Sequence, residues 1–262
     1  MKQIISHRQY PEEYFNSMLK EPIVEMTDKI INHVNFSLVR FGDGEFFCMQ
    51  KKKGHNCDKH PYSNELGDKL IASFEYLKKL KNVYFGEWGD QPGSFGTPQN
   101  VAPQKNYKNP VFQYQLKLFE NADLKLVNFE ILQNNTLFQE KHTFYKTIKE
   151  SKRKKIYVGP YTKLKGIDKF LNLDSFITIP EVNSFEKYDN ILNLIKGEIE
   201  DNCIVLFSAG MPCECYINDI LLINDKITCL DIGSGMDAMF HGVTREGQQE
   251  RDVCRAFYKE LL

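Results

Sequence analysis

An α/β protein on a Rossmann-like, mostly parallel sheet of about seven strands, with helices on both faces, is what the sequence predicts. Short apolar runs alternate with stretches of helical periodicity along most of the chain. Nearly every loop rich in glycine, proline or serine follows one of the apolar runs, as loops at strand carboxyl ends do. No internal repeat, low-complexity tract or linker interrupts the alternation, so residues 1–262 read as one domain.

Ile23, Val24, Met26, Ile30, Ile31 and Val34 recur at helical spacing and predict a leading helix. A strand through Leu38, Val39 and Phe41 follows. Gln50 to Ser63 reads as a polar loop, and Glu65 to Leu80 as a helix with Leu66, Leu70, Ile71, Phe74 and Leu77 on one face. Val83 to Trp88 reads as a second strand ending in a glycine turn. Asp90 to Pro110 is a long Gly-, Pro-, Asn- and Gln-rich loop, a kind that is more often functional than idle. Then come a helix at Phe112–Phe119, a strand at Leu124–Ile131 and a helix at Leu137–Lys149. Strands at Ile156–Val158, Phe176–Ile179, Cys203–Phe207 and Ile227–Ile232 complete the sheet. The helices between them run to Phe170, from Ser184 to Ile199 and to Ile223, with a closing helix at Gln248–Leu261.

The composition, 42% hydrophobic and 26% charged over 262 residues, is that of an ordinary globular protein. A formal net charge of -1 argues against a dedicated nucleic-acid binder, whose footprint is basic. The basic runs Lys51–Lys53 and Lys152–Lys155 read as solvated turns, with an anionic acceptor or lipid surface as the alternative. Seven cysteines without a Cys-x-x-Cys pair indicate a reduced set and a cytoplasmic location. His55, Cys57 and His60 have no second cluster to complete a zinc site. The amino-terminal ten residues lack the apolar core of a signal peptide, and no apolar run is long enough for a transmembrane span. Any membrane contact would be peripheral.

The stretch Ser37 to Phe47, Ser-Leu-Val-Arg-Phe-Gly-Asp-Gly-Glu-Phe-Phe, concentrates the chemistry. If the backbone stays extended past the strand, Asp43 and Glu45 leave on one face and reach one point. Two hard oxygen donors there suit a divalent cation completed by substrate phosphates; a turn carrying two solvated acids is the other reading. Ser208-Ala209-Gly210 and Gly233-Ser234-Gly235 are loops whose backbone N–H groups could cradle a diphosphate, or ordinary strand-to-helix turns. Leu230 to Gly235 also looks like the glycine motif of S-adenosylmethionine-dependent methyltransferases. That motif normally follows the first core strand, whereas here it follows the last.

Arg40-Phe41-Gly42-Asp43-Gly44-Glu45, followed by Ser208-Ala209-Gly210-Met211 and Asp231-Ile232-Gly233-Ser234, resembles the GT-D-fold glycosyltransferases from about Phe36 to Asp237. The resemblance implies a nucleotide-sugar transferase, taking a UDP-sugar donor to a glycan, glycoprotein or glycolipid acceptor, as in polysaccharide biosynthesis. It implies that Asp43 and Glu45 hold a divalent ion, manganese or magnesium, against the donor diphosphate, with Arg40 beside the phosphates. Asn183, in a segment with Tyr188, would lie next to the base or ribose. Ser208, Gly210, Asp231 and Ser234 are placed similarly; helix capping and turn formation are the structural roles open to them. An inverting reaction needs a base near the acceptor hydroxyl. Asp237 is the favoured choice among Glu87, Asp90, Asp237 and His241, because it follows the glycine loop. A non-catalytic nucleotide-binding scaffold is the alternative from another class.

Overall fold

Seven parallel strands form one sheet: β1 (Ser37–Val39), β2 (Val83–Glu87), β3 (Lys125–Asn128), β4 (Lys155–Pro160), β5 (Ser175–Ile179), β6 (Ile204–Phe207) and β7 (Thr228–Asp231). Their order is β3-β2-β1-β7-β6-β4-β5, and every pairing is parallel. The computed structural model describes residues 12–52, 62–87, 110–120, 122–133, 137–164, 166–240, 258–259 and 261. Central strands β1, β4, β6 and β7 are buried throughout, whereas edge strands β3 and β5 are partly exposed. That difference follows from covering both faces of a parallel sheet with helices.

The helices are α1 (Glu12–Phe15), α2 (Glu21–Ile31), α3 (Asp43–Met49), α4 (Asn64–Leu77), α5 (Pro110–Phe119), α6 (Phe138–Glu150), α7 (Tyr161–Leu164), α8 (Ile167–Leu171), α9 (Tyr188–Glu198), α10 (Cys213–Ile223) and α11 (Asp237–Phe240). A π-helical segment, Asn16–Lys20, and a 3₁₀ turn, Ser184–Lys187, precede α2 and α9. Connections running toward β3, or back from β5 toward β7, place α3, α4, α5, α9 and α10 on one face. Connections running the other way place α6 and α8 on the opposite face, where α2 also packs. Right-handed crossovers require this separation.

At several places on the sheet, therefore, neighbouring strands have chains that leave to opposite faces. After β6 the chain goes to α10 on the first face, while after β4 it goes to α7 and α8 on the second. After β1 it enters α3 on the first face, while after β7 Met236 packs on the second. Such divergence opens a crevice beyond the carboxyl ends, where ligands of open α/β sheets bind.

Several boundaries differ from the sequence expectation for local reasons. β3 stops at Asn128, short of Ile131, because the Asn128 side chain accepts the Glu130 N–H at 2.7 Å and closes a turn. Gly86 is part of β2 and not a terminal turn; a Cβ there would lie 3.0 Å from Arg40 Cγ and 3.2 Å from the Phe129 backbone. The stretch expected as one helix from Ser184 splits into the 3₁₀ turn and α9, after Asn183 adopts a left-handed φ of 55°. Trp88, Asp90, His241, the zinc reading at His55, Cys57 and His60, and most of the loops at 50–62 and 90–110 and of the closing helix lie outside the described residues.

At the amino ends of the strands, the Arg153 guanidinium donates to Asn35 Oδ1 and Thr228 Oγ1, both at 2.6 Å, and to the Cys203 carbonyl at 3.2 Å. Burial pushes its pKa down to about 10. The five described cysteines, Cys48, Cys203, Cys213, Cys215 and Cys229, are all buried free thiols, and burial raises the pKa of each.

α3 and α4 pack closely where Gly67 faces the backbone of Cys48; a Cβ on Gly67 would lie 2.4 Å from the Cys48 carbonyl oxygen. Gly67→Ala is expected to destabilise the fold by about 1–3 kcal/mol, because the neighbour is backbone and cannot swing away. Urea unfolding of the variant measures this.

Candidate functional site

Arg40 is the first residue after β1 and Asp231 ends β7, the next strand in the sheet. Arg40 Nε donates to Asp231 Oδ2 at 2.9 Å and Arg40 Nη2 to Asp231 Oδ1 at 3.0 Å, a two-pronged pair that uses both carboxylate oxygens. Both side chains are buried. Burial works against the Arg40 charge, but Asp231 outweighs it and the guanidinium pKa is raised.

The surroundings are shaped to this guanidinium. It sits 5.2 Å from the centre of the Phe129 ring, and Nη1 donates to the Phe129 carbonyl at 3.4 Å. Phe129 follows β3 and reaches Arg40 across β2, where Gly86 has no side chain to intervene. Gly233, at φ +46°, lies so close that a Cβ would sit 2.0 Å from Arg40 Nη2. A glycine in the Gly233-Ser234-Gly235 loop thus has a packing reason that needs no nucleotide.

Asp43 and Glu45 do not lie on extended backbone. Gly42 is the N-cap of α3, and both acids fall in its first turn. Glu45 Oε2 accepts the Gly42 N–H at 2.8 Å, and Asp43 Oδ1 accepts the Gly44 N–H at 3.0 Å. Residues two apart are about 200° apart around a helix, so the same-face argument does not hold here. Helical side chains lean toward the N-terminus, however, and Glu45 curls back to the N-cap, so both acids stay at the carboxyl end of β1. Asp43 is half-buried and Glu45 is buried.

The loops of β6 and β7 are joined. Ser208 Oγ donates to the Gly233 carbonyl at 2.6 Å. Gly210 takes φ +65°, and its carbonyl accepts the Cys213 N–H at 2.9 Å at the start of α10. Ser234 is buried in the same loop as Gly233. Asp237, also buried, pairs through Oδ2 with Lys163 Nζ at 3.0 Å, linking the β7 loop to α7 after β4. Asn183 is half-buried beyond β5, and its side-chain amide donates to Glu186. Tyr188 does not join this group. Its ring stacks on Tyr216 at 4.4 Å, and its hydroxyl donates to Asp219 at 3.0 Å.

The structure adds three residues that the sequence reading did not single out: Phe129, Lys163 and Glu214. Glu214, in α10, is almost wholly buried, and its Oε1 accepts the Arg40 N–H at 3.2 Å. Burial, then Asp231 and Glu45, push its pKa well above the ordinary glutamate value. Its signal was an acid between two cysteines at the start of the apolar run Met211–Ile223; Phe129 had none, since only the sheet order brings β3 near Arg40.

Ligand atoms of Cys213, Glu214 and Asp231 lie within 4.8 Å of one another, a spacing a metal could use. A metal there would have to compete with Arg40, which already takes both Asp231 oxygens. Asp43 and Glu45 each have one carboxylate oxygen held by a backbone N–H in the first turn of α3.

Asp231→Ala is expected to cost about 3–5 kcal/mol in urea unfolding, since it strands a buried guanidinium. Arg40→Met combined with Asp231→Leu should recover much of that loss. Glu214→Gln keeps the neutral form and the oxygen that accepts the Arg40 N–H. A raised acid pKa contributes stability below its unfolded value, near 4.5, that is lost as pH rises toward the folded value. The melting temperature of Glu214→Gln relative to wild type should therefore climb from pH 4.5 upward, which thermal unfolding across pH measures.

No family model matches the sequence, and no curated protein matches it either. Two solved structures share the fold. One, of domain of unknown function 1792, described as having a distinct glycosyltransferase fold, superposes with a TM-score of 0.59 at 20% identity, covering 92% of this chain and 88% of that one. The other, a selenomethionine-substituted structure of the same domain, gives 0.56 at 19% identity with the same coverage. The seven-stranded parallel sheet and its flanking helices are thus the fold that has been described as a distinct glycosyltransferase fold.

Proposed function

We propose that this chain is a metal-dependent glycosyltransferase that moves a sugar from a UDP-sugar to a glycan or glycoconjugate acceptor. The observation that carries the reading is the placement of Asp43 and Glu45 at the crevice between β1 and β7, in a fold shared with a glycosyltransferase-fold domain.

Asp43 and Glu45 would hold a divalent cation, manganese or magnesium, which when bound supplies positive charge to a departing diphosphate. At the same end of the sheet Ser208, Gly233 and Gly235 donate their N–H groups to the Val158, Phe207 and Ile232 carbonyls, so in these loops Ala209 and Gly210 would supply donors to the phosphates. Arg40 acts at one remove: it holds Asp231 and so fixes the floor on which these loops rest. Asp237, beside Lys163 at the edge of the crevice, would accept the proton of the acceptor hydroxyl as it attacks the anomeric carbon. The C–O bond to the diphosphate breaks as the new glycosidic bond forms, and the electron pair leaves with UDP. Among the described residues no helix is long and apolar enough to cross a membrane.

Calorimetry with UDP should show binding that depends on manganese. Asp43→Asn and Glu45→Gln should each lower transfer to background while the circular dichroism spectrum and melting curve stay near wild type. Turnover at the wild-type rate in both variants would remove the metal assignment, and metal-independent binding of S-adenosylmethionine would replace the reading altogether.

A further inference from the structure

Tyr161 is the most exposed large apolar side chain among the described residues, at 69%. Of the others left exposed, Val182 alone shares its setting, within a few residues beyond the carboxyl end of a strand. The rest lie on α2, α5, α9 and α10, on β5, or, for Val34, in the turn before β1. Tyr161 follows β4, and Val182 follows β5, whose Ile179 is the register partner of Pro160. Thr162 and Glu181, their sequence neighbours, are hydrogen-bonded, so the two apolar residues lie on adjoining segments, with Tyr161 at the rim of the crevice where the chains from β4 and β6 diverge.

The segment beneath Tyr161 is pinned on several sides. Thr162 donates its hydroxyl to Glu181, Lys163 pairs with Asp237, and Leu164 is buried in the core. Just beyond, Gly166 packs so closely on Phe240 that a Cβ would lie 2.6 Å from the ring. An aromatic ring held by a fixed backbone, with its own surface uncovered, loses little freedom when a flat partner stacks on it.

We propose that Tyr161 is the platform on which the nucleobase of the donor stacks, an inference that rests on the glycosyl-transfer reading above. The dimensions select the base. Asp43 follows β1 and Tyr161 follows β4, and the order β1-β7-β6-β4 puts three strand spacings between them, ~14 Å. A nucleoside diphosphate laid across the crevice with its phosphates toward Asp43 and Glu45 reaches the β4 rim with its base. Asn183, next to Val182 beyond β5, then borders the base end of the nucleotide. Stacking is tolerant of base identity, so Tyr161 contributes affinity for nucleotides as a class.

The test uses the full chain, manganese, and two probes in calorimetry, UDP and inorganic pyrophosphate. Tyr161→Ala should weaken UDP binding by at least about fivefold. It should leave pyrophosphate binding unchanged, and Tyr161→Phe should bind UDP within about twofold of wild type. The proposal is overturned if Tyr161→Ala binds UDP like wild type, if Tyr161→Phe loses as much as Tyr161→Ala, or if pyrophosphate binding falls in parallel. A change confined to the acceptor KM would also overturn it, assigning the ring to the acceptor. Wild type that binds no nucleoside diphosphate defeats the glycosyl-transfer reading together with this inference; wild type that binds UDP beside an unaffected Tyr161→Ala defeats this inference alone.

Discussion

The pairing of Arg40 with Asp231 is the contact on which the carboxyl end of the sheet depends. It joins strands from opposite ends of the chain, β1 and β7, at the point where the backbone leaves one for each face. A buried guanidinium is costly to desolvate, and a carboxylate meeting it with both oxygens is the geometry that offsets the cost. The neighbourhood shows the same constraint. Gly86 and Gly233 leave room for the guanidinium by having no side chain, Phe129 covers it from two strands away, and burial beside it raises the pKa of Glu214. Charge is balanced at the floor before any ligand arrives.

Above that floor the order of the strands decides where chemistry can occur. Because crossovers are right-handed, the direction in which the chain moves along the sheet fixes which face receives each helix. Direction changes at β7/β1 and at β4/β6, among other places, and the loops of two of the positive-φ glycines, Gly210 and Gly233, emerge beside those two changes. Asp43 and Glu45 border the first crevice; Lys163, through Asp237, ties the second to it. The likeness to a glycosyltransferase-fold domain concerns the whole arrangement and not one motif, since it spans 92% of the chain at 20% identity.

Much of this was legible in the residue pattern. Central strands such as Ile204–Phe207 are buried on both faces and so read as unbroken apolar runs, which made all seven strands and most helices visible. Conformation just past a strand was less legible. The Gly42–Glu45 stretch reads equally well as extended chain, and only the reach of Glu45 back to the Gly42 N–H shows that a helix begins there. Tyr188 illustrates a different limit. The family resemblance put it in one segment with Asn183, and past a 3₁₀ turn its side chain packs on Tyr216 and Asp219. Phe129 and Glu214 come to Arg40 through strand order and helix packing, which no local pattern encodes.

The buried cysteines turn the sheet into its own reporter. Cys203 precedes β6, Cys229 lies within β7, and Cys213 and Cys215 begin the helix between them, all with thiols that burial keeps protonated. A thiol reagent needs thiolate and access, so those sulfurs react only when the centre of the molecule opens. Alkylation at these positions therefore counts excursions of the middle strands, and a ligand that clamps the crevice would slow it without touching any of them.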